Sequence, residues 1–350
     1  MANSSSDSNP VSGLSPSRRR FFHKAGLAAG GLYALAAPSL VGRWVSGAEA
    51  ATGSERSFLP GRFGLELDNT FCGAINAFEG GNYTADVVSV TQGTERIPRK
   101  SLGNPRIEPI TVQTGLELTK PWYEWISKTM SGEPVRKTGA IIEMDQTFKE
   151  IGRRAFTNAL ISEIEFPACD GGSKDQAKMT VSIVPEQLQL AGGSGKQFPA
   201  TGAKTKPWLA SNCRLNIQGL EPATQRATKI DSLSIKQKVT VVQSAQSKTS
   251  QLVPGTLEFS NLKITVPEAQ AGPLYAWLDD FLVKGNNGAA KERPGVLEFL
   301  SADMKPVATV QLIGLGVFRI SSEGSSGPSE KVRQAKVDIY CQRMTATFTP

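Results

Sequence analysis

Hydrophobic and polar residues alternate along much of the chain with a period of two, which is typical of half-buried antiparallel strands. The alternation is clearest over residues 233–241, with one slip at Gln237, and it recurs over 262–266. It also runs through residues 161–166 and 178–184. Three further segments have strand character: 107–118, 139–145 and 257–260. The pattern therefore predicts a mainly β protein of the α+β class.

Two segments break this pattern with the period of an α-helix. Each opens with a proline, Pro121 or Pro273, and proline is favoured in the first helical turn. Apolar residues then recur at helical spacing on one face: Trp122, Trp125 and Ile126 in the first segment, and Leu274, Trp277, Leu278 and Phe281 in the second. The tryptophans could stack on sugar rings, but this spacing favours a place in the core.

The two helices belong to an internal repeat. Residues 121–126 match 273–278, and strand segments match in the same order before and after them: 62–67 with 212–217, 140–144 with 295–299, and 176–178 with 334–336. Ordered agreement favours a duplicated domain over coincidental similarity. We therefore predict domains at 58–190 and 208–350. The Gly-, Ser-, Pro- and Lys-rich residues 191–207 are expected to form an exposed, flexible linker.

Residues 1–50 have the order of features of an export leader. Ser17-Arg18-Arg19-Arg20-Phe21-Phe22-His23-Lys24 resembles the twin-arginine signal, in which Arg18, Arg19 and Phe21 occupy the defining places. A weakly apolar run at 25–41 follows, and Ala48-Glu49-Ala50 fits a cleavage site before Ala51. A basic arm with a core helix and an uncleaved membrane anchor are the alternatives. The resemblance implies the twin-arginine export machinery as a partner and a periplasmic or extracellular destination, without a stable membrane anchor.

Charge and histidine content narrow the function classes. The formal net charge is +7, and residues 1–50 hold five basic and two acidic side chains, which leaves 34 basic and 30 acidic ones, or +4. This mild excess does not indicate nucleic-acid binding. The one histidine, His23, lies in the leader, so a mature chain would lack both a histidine base and the commonest transition-metal ligand. We expect no cofactor, no metal site and no catalytic residues.

The four cysteines, Cys72, Cys169, Cys213 and Cys341, are widely spaced and form no Cys-x-x-Cys motif. Three pairings are open. Cys72 with Cys169 and Cys213 with Cys341 would each join the early and late parts of one domain. An oxidising destination favours disulfides, whereas buried free thiols are the alternative.

Other candidate motifs are weak. Glu163 and Glu165 share one strand face, and Asp279 and Asp280 are adjacent, but such carboxylates more often form a solvated face than an acid–base pair. The glycine-rich residues 192–196 lack phosphate-loop spacing and fit a flexible loop. The Gly-x-Gly of residues 312–318 fits a closely packed strand.

The order of elements in the first domain resembles the tail-tube protein family of contractile phages. The matching features are Trp125 in its helix, the Ser131-Gly132 turn and the strand Ile141-Ile142-Glu143-Met144-Asp145. The similarity covers most of residues 60–190, and the second domain matches through the first. It implies an antiparallel β-barrel or sandwich with one flanking helix per domain, assembled into six-fold rings that stack as a tube, an architecture shared with the type VI secretion tube.

Together these features predict an exported, non-enzymatic structural protein with two tandem tail-tube-like domains. It is expected to be a homo-oligomer: three two-domain chains would form a pseudo-hexameric ring, and a hexamer is the other option. The alternative is a periplasmic enzyme or carbohydrate-binding protein with a duplicated β-sandwich. A cytoplasmic prophage tail protein with an accidental leader is a third interpretation.

Overall fold

A computed structural model describes residues 62–349, apart from 92, 94–96, 201–207, 244–249 and 323–331. The predicted export signal and its cleavage site lie outside the described residues, as does the glycine-rich loop near 324–327. Strands dominate the described part, which confirms the predicted mainly β class.

The strands of the first half are β1 (Arg62–Leu67), β2 (Thr70–Ile75), β3 (Ala77–Gly80), β4 (Tyr83–Val90), β5 (Arg99–Ile107), β6 (Ile110–Thr114), β7 (Lys137–Met144), β8 (Glu150–Phe166), β9 (Cys169–Asp170), β10 (Met179–Val184) and β11 (Gln187–Gly192). Those of the second half are β12 (Cys213–Ile217), β13 (Lys229–Ile230), β14 (Leu233–Gln243), β15 (Ser250–Phe259), β16 (Leu262–Pro267), β17 (Arg293–Leu300), β18 (Pro306–Ser322) and β19 (Gln334–Phe348). The α-helices are α1 (Lys120–Met130), α2 (Glu221–Thr224) and α3 (Gly272–Leu278). A π-turn at Asp279–Val283 extends α3, and short 3₁₀ turns occupy Glu268–Gln270 and Ala289–Lys291.

Two antiparallel sheets carry the fold. The first sheet has the order β2-β1-β7-β8-β10-β6-β3, and the second sheet has the order β12-β17-β18-β19-β16-β13-β9. Six strands of each sheet therefore have the same order of neighbours. In that order β1, β7, β8, β10, β6 and β3 correspond to β12, β17, β18, β19, β16 and β13. Both orders are open paths, so the described strands form a sandwich-like arrangement and no closed barrel.

Strand pairing corrects one part of the proposed repeat alignment. Leu67 pairs with Gly139 in the first sheet, and Ile217 pairs with Gly295 in the second. Gly139, rather than Ala140, therefore occupies the place of Gly295. The alignment from sequence is wrong by one residue at this strand.

The two halves share one hydrophobic core, so the predicted boundary does not separate two cores. Residues 57–350 form one compact unit. The Phe166 ring of the first half stacks near Phe299 and Phe348 of the second, with centroids 5.9 and 6.3 Å apart. The two-residue strand β9 pairs with β13 of the second half, and β14 pairs with β8 of the first. The halves therefore exchange strands as well as side-chain contacts.

Helix α1 crosses between the halves. Its predicted apolar face is buried, with Trp122, Trp125 and Ile126 at most 1% exposed. The indole nitrogen of Trp125 donates to the carbonyl of Val135 at 2.7 Å. Ser127 donates to the carbonyl of Ala346 in β19 at 2.9 Å. The predicted face of α3 is buried at Leu274, Trp277 and Phe281, while Leu278 is half-buried. The second half also contains α2, which the prediction of one helix per domain missed.

The predicted flexible linker is wrong over its described part, 191–200. Strand β11 runs to Gly192 along β8, and Gly193 then donates to the carbonyl of Ile151 at 3.0 Å. Phe198 is buried, and its ring lies 4.8 Å from that of Phe71. These contacts hold the segment on the first sheet. Residues 201–207 lie outside the described part.

A buried ion cluster fastens this segment. Arg153 binds Glu66 at 2.7 Å and Glu150 at 2.8 Å, and both carboxylates are nearly inaccessible. Ser194, from the predicted linker, donates to the other oxygen of Glu150. Burial disfavours the ionised form of Glu150, but the hydrogen bonds from Arg153 and Ser194 outweigh it and hold the pKa of Glu150 below its usual value.

The close packing of β7 against β1 can be tested by substituting Gly139. A Cβ at this position would collide with the backbone carbonyl of Glu66 and lie 2.8 Å from the Phe156 ring. We expect Gly139→Ala to lower the free energy of unfolding by about 1–3 kcal/mol, because the strands must move apart. Gly192→Ala is the matched control, since a Cβ there meets nothing within 4 Å. Urea denaturation measures both, and equal stabilities of the two variants would contradict the packing described here.

Candidate assembly surface

The chain contains two hairpins at equivalent places in the strand order. The first hairpin is β4–β5, and the second hairpin is β14–β15. Tyr83 pairs with Ile107 in the first, and Ile235 pairs with Phe259 in the second. Each of these pairs lies where its hairpin meets the rest of the protein. Tyr83 therefore corresponds to Ile235.

The second hairpin is docked on the first half of the chain. Four residues of β14 pair with the end of β8, with Ile235 opposite Ile164. Both isoleucines are 1% exposed. Lys236 lies 3.2 Å from the carboxylate of Glu163 across the same junction. The junction combines main-chain hydrogen bonds, a buried apolar pair and a half-exposed ion pair.

Glu186 secures the other strand of the second hairpin. One carboxylate oxygen accepts a hydrogen bond from the Leu252 amide at 2.9 Å, and the other accepts one from the Asn158 side chain at 3.0 Å. Arg136 lies 3.7 Å from the same carboxylate and donates to the Leu252 carbonyl at 2.6 Å. Because Glu186 and Leu252 are both largely buried, these contacts fix the hairpin against the first half.

The first hairpin has no such dock among the described strands, where β4 and β5 pair only with each other. Tyr83 is 57% exposed, Val87 61% and Leu102 76%. Val87 and Val88 point to opposite faces of the strand and are both exposed. The hairpin therefore presents apolar side chains to solvent on both faces. A two-stranded hairpin is marginal in water by itself.

The partner strand that the first hairpin lacks has an equivalent in the second sheet. Val181 pairs with Ile164 of β8, and Val337 pairs with Ile320 of β18. Both pairs hold the same place in the strand order, so Ile320 corresponds to Ile164. Ile164 has β14 on its other side, whereas Ile320 has no second strand beside it among the described residues. We call Arg319–Ser322 the free edge.

The first hairpin thus corresponds to the second hairpin, and the free edge corresponds to the end of β8. The second hairpin and β8 pair within the chain, whereas the first hairpin and the free edge do not. An unpaired strand edge offers a row of main-chain donors and acceptors to another strand. Exposed apolar side chains beside it would be removed from water on pairing. This arrangement can bind a polypeptide strand.

A groove of about 870 Å³ separates the two hairpins. Tyr83, Asp86 and Arg106 line one side, and Val241 and Leu252 line the other. Asp86 and Arg106 form an ion pair on its wall, and the Tyr83 hydroxyl donates to the Leu188 carbonyl. The groove therefore has a mixed polar and apolar lining.

The carboxylates singled out from sequence are held by other side chains. Glu163 pairs with Lys236 as described, Asp279 lies 2.6 Å from the Lys284 ammonium, and Asp280 accepts a hydrogen bond from Asn286 at 2.8 Å. Within the described residues, no group of three His, Cys, Asp or Glu side chains is arranged to hold a metal ion.

The tryptophans weighed as sugar-stacking residues are core residues. Trp122, Trp125 and Trp277 are at most 4% exposed. The strand interpretation of residues 312–318 is confirmed, because they lie within β18. There a Cβ at Gly316 would enter the Tyr340 ring. No helix in the part of the chain described here is long and apolar enough to span a membrane.

All four cysteines are thiols in the structure. Neither pairing named from sequence, Cys72 with Cys169 or Cys213 with Cys341, is brought into contact. The structure instead places Cys169 beside Cys213: both line one small cavity, and the Cys213 thiol faces the Ala210 carbonyl at 4.0 Å, which also accepts the Asp170 amide. Burial raises the pKa of Cys72 and of Cys341.

The sequence analysis did not identify the first hairpin or the free edge. The available signal was local: apolar residues stand next to each other at Val87 and Val88, where a half-buried strand would alternate. The free edge gives no such signal, because it is defined by the absence of a neighbouring strand.

Residues 60–189 match the family model of the T4-like virus tail tube protein gp19. This confirms the resemblance carried by Trp125, the Ser131-Gly132 turn and residues 141–145. The match covers less than half of the chain. No curated protein sequence matches the chain.

Three solved structures resemble part of this chain. One is in the PVC sheath-tube complex of an extracellular contractile injection system in its extended state (16% identity, 42% of this chain and 99% of that one, TM-score 0.36). A second is in the tube-terminating cap of the anti-feeding prophage (18%, 41% and 99%, TM-score 0.36). A third is Hcp1 from Flavobacterium johnsoniae (16%, 38% and 96%, TM-score 0.25).

Glu186 provides a test of how the second hairpin is held. We expect Glu186→Ala to speed amide hydrogen exchange in β15 about tenfold, because the Leu252 amide loses a charged acceptor and about 1.5 kcal/mol of local stability. Glu258→Gln is the control, since this exposed glutamate lies on the same hairpin. Hydrogen exchange read by mass spectrometry should show no change in β15 for the control. Unchanged exchange in Glu186→Ala would contradict the assigned contact.

Proposed function

We propose that this chain is an exported structural protein whose copies join head to tail into rings, and that the rings stack into a tube. In each junction the first hairpin of one copy pairs with the free edge of the next. Three chains would place six tail-tube-like modules in one ring. The observation that carries the proposal is the internal junction of β14 with β8, whose counterparts β4 and β18 are left without it in a single chain.

The internal junction predicts the register of the external one. Ile235 lies opposite Ile164 within the chain. By the equivalences given above, Tyr83 would lie opposite Ile320 of the neighbouring copy. Both are more exposed than their internal counterparts, so pairing would bury apolar surface from both partners. Such a contact is heterologous, and it forms a closed ring when its rotation closes.

Duplication of a single module explains the similar strand orders of the two sheets. Support comes from the matched registers at Gly139 and Gly295, at Tyr83 and Ile235, and at Ile164 and Ile320. Under this proposal the chain is a fused pair, in which β14 on β8 is a former contact between separate subunits.

Export is part of the proposal and rests on the leader residues. Arg18, Arg19 and Phe21 would be read by the twin-arginine machinery, and cleavage before Ala51 would release the mature chain. This route carries folded cargo, which suits a protein whose halves exchange strands. The site of action would be the periplasm or the cell exterior.

The role proposed is non-enzymatic. The family match names a tube protein, and the carboxylates considered for catalysis are engaged in ion pairs or separated. The carbohydrate-binding alternative loses its aromatic platform, because the three tryptophans that suggested it are buried.

Assembly is tested by the size of the mature chain in solution, with variants on each side of the junction. We expect light scattering and negative-stain microscopy to show rings or tubes. Tyr83→Asp and Ile320→Asp should each give monomers, because a carboxylate would be buried at an apolar contact at a cost of about 2 kcal/mol or more. An equimolar mixture of the two should stop at dimers, since one intact hairpin and one intact edge remain.

Val332→Asp is the control for this experiment, since Val332 is 67% exposed and outside the proposed junction. It should assemble like the unaltered protein. A strict monomer for the unaltered protein would overturn the proposal, and saturable binding of a sugar by that monomer would favour the carbohydrate-binding alternative. Assemblies larger than dimers in the mixture, including rings, would contradict the head-to-tail arrangement.

The leader is tested by cell fractionation. We expect the double variant Arg18→Lys/Arg19→Lys to remain in the cytoplasm at full precursor length, because the paired arginines are the recognised feature. Arg20→Lys should be exported and shortened like the unaltered chain. Export of the double variant at the normal level would rule out the proposed signal.

A further inference from the structure

Two cysteines from different halves of the chain line the same small cavity. Cys169 lies in β9 and pairs with Ile230 of β13. Cys213 opens β12 and pairs with Phe299 of β17. Both line one small cavity of about 40 Å³, and the Cys213 thiol faces the carbonyl of Ala210 at 4.0 Å.

The backbone around the pair is fixed on both sides. The amide of Asp170 donates to the Ala210 carbonyl at 3.1 Å, so the segment before Cys213 is tied directly to the strand that holds Cys169. The amide of Gly171 donates to the Thr228 carbonyl at 3.0 Å. The two sulfurs are therefore held together by the fold and do not meet by chance at a mobile surface.

The other two cysteines have different surroundings. The Cys72 thiol faces the Thr70 carbonyl at 3.5 Å, and the Cys341 thiol faces the Arg343 carbonyl at 3.1 Å. Neither has another cysteine as its hydrogen-bond partner among the described residues. The chain thus contains one cysteine pair in contact and two separate buried thiols, which serve as internal controls.

We propose that Cys169 and Cys213 are a redox site that closes to a disulfide, linking the first half of the chain covalently to the second. The oxidant required is a low-molecular-weight or protein disulfide. The inference does not depend on the proposed ring assembly.

The reaction proceeds by thiol–disulfide exchange. Cys213 is the more exposed of the two, and the neighbouring Cys169 thiol lowers the pKa of Cys213, so its thiolate forms first. That thiolate attacks one sulfur of the oxidant, forms a mixed disulfide and releases one thiol. The Cys169 thiolate then attacks the Cys213 sulfur and releases the second thiol. Two protons and two electrons leave the pair, and the oxidant is reduced to two thiols.

A disulfide here would close a loop that contains all of β10 and β11 and residues 191–207. It would hold β9 against β13 and fix the entry to β12. It would stabilise the fold mainly by lowering the conformational entropy of the unfolded chain. Reduction would leave the same contacts without the covalent link.

The test is made on the full chain. The reduced protein is incubated folded with oxidised glutathione, then denatured in acid, alkylated and digested with trypsin without reduction. Lys174 and Lys196 lie between the two cysteines, so their peptides separate unless they are linked. We expect two of the four thiols to be lost and one linked pair of peptides, containing Cys169 and Cys213. The double variant Cys72→Ala/Cys341→Ala should give the same linked pair.

Two results would overturn the inference. One is recovery of all four thiols from the unaltered folded protein after oxidation. The other is a linked peptide that contains Cys72 or Cys341 in place of the expected pair. Cys213→Ser should keep Cys169 from forming any intrachain disulfide, and a new disulfide in that variant would also count against the assigned pair.

Discussion

The pairing of β8 with strands from both halves is the constraint on which the rest of the structure depends. The first part of β8 lies between β7 and β11, and its last residues lie between β10 and β14. Because β14 comes from the second half, neither half can complete its strand neighbours alone. The pairing also uses up one hairpin and one sheet edge per chain. Among the described strands, the hairpin β4–β5 and the β18 edge at Arg319–Ser322 are the counterparts of this junction that lack such a partner. Under the proposed assembly they are the two ends at which chains associate.

Under the proposed duplication, fusion of two modules would change the energetics of any assembly built on these surfaces. A contact within a chain forms at a high effective concentration, whereas a contact between chains must also offset the entropy of association. The Ile235–Ile164 junction is therefore formed before any second copy arrives. It also fixes the second hairpin on the first half of the chain, which under the proposed assembly would give the incoming copy a preorganised template. The docked linker segment and the Arg153 ion cluster add to this rigidity.

The sequence predicted strand and helix types well because their signal is local. The slip in alternation at Gln237 corresponds to an irregularity between Gln237 and Val239 in the pairing of β14 with β15. Residues 107–118 illustrate the limit of such signals, since β5 ends at Ile107 and β6 begins at Ile110. The sequence suggested a repeat, which stays a prediction, and the strand registers differ from its alignment. A two-residue slip keeps the same side chains on the same face, so the match of Gln176-Ala177-Lys178 to Gln334-Ala335-Lys336 looked correct although strand pairing places Met179 at the position of Ala335.

The packing of the linker and the candidate surface could not be predicted from sequence for a different reason. Both depend on contacts with residues that are distant in the sequence. A Gly- and Ser-rich composition indicates a loop, but Phe198 is buried because Phe71 happens to lie beneath it. A strand edge is unpaired when no neighbouring strand lies beside it. The residue types of Arg319–Ser322 give no signal of this, because pairing depends on the rest of the fold. The internal junction supplies the missing comparison. If the external junction repeats its rotation, the angle between the two sheets of one chain also fixes how many chains close a ring, so that ring size is encoded in the packing of β14 on β8 and not in the exposed surfaces themselves.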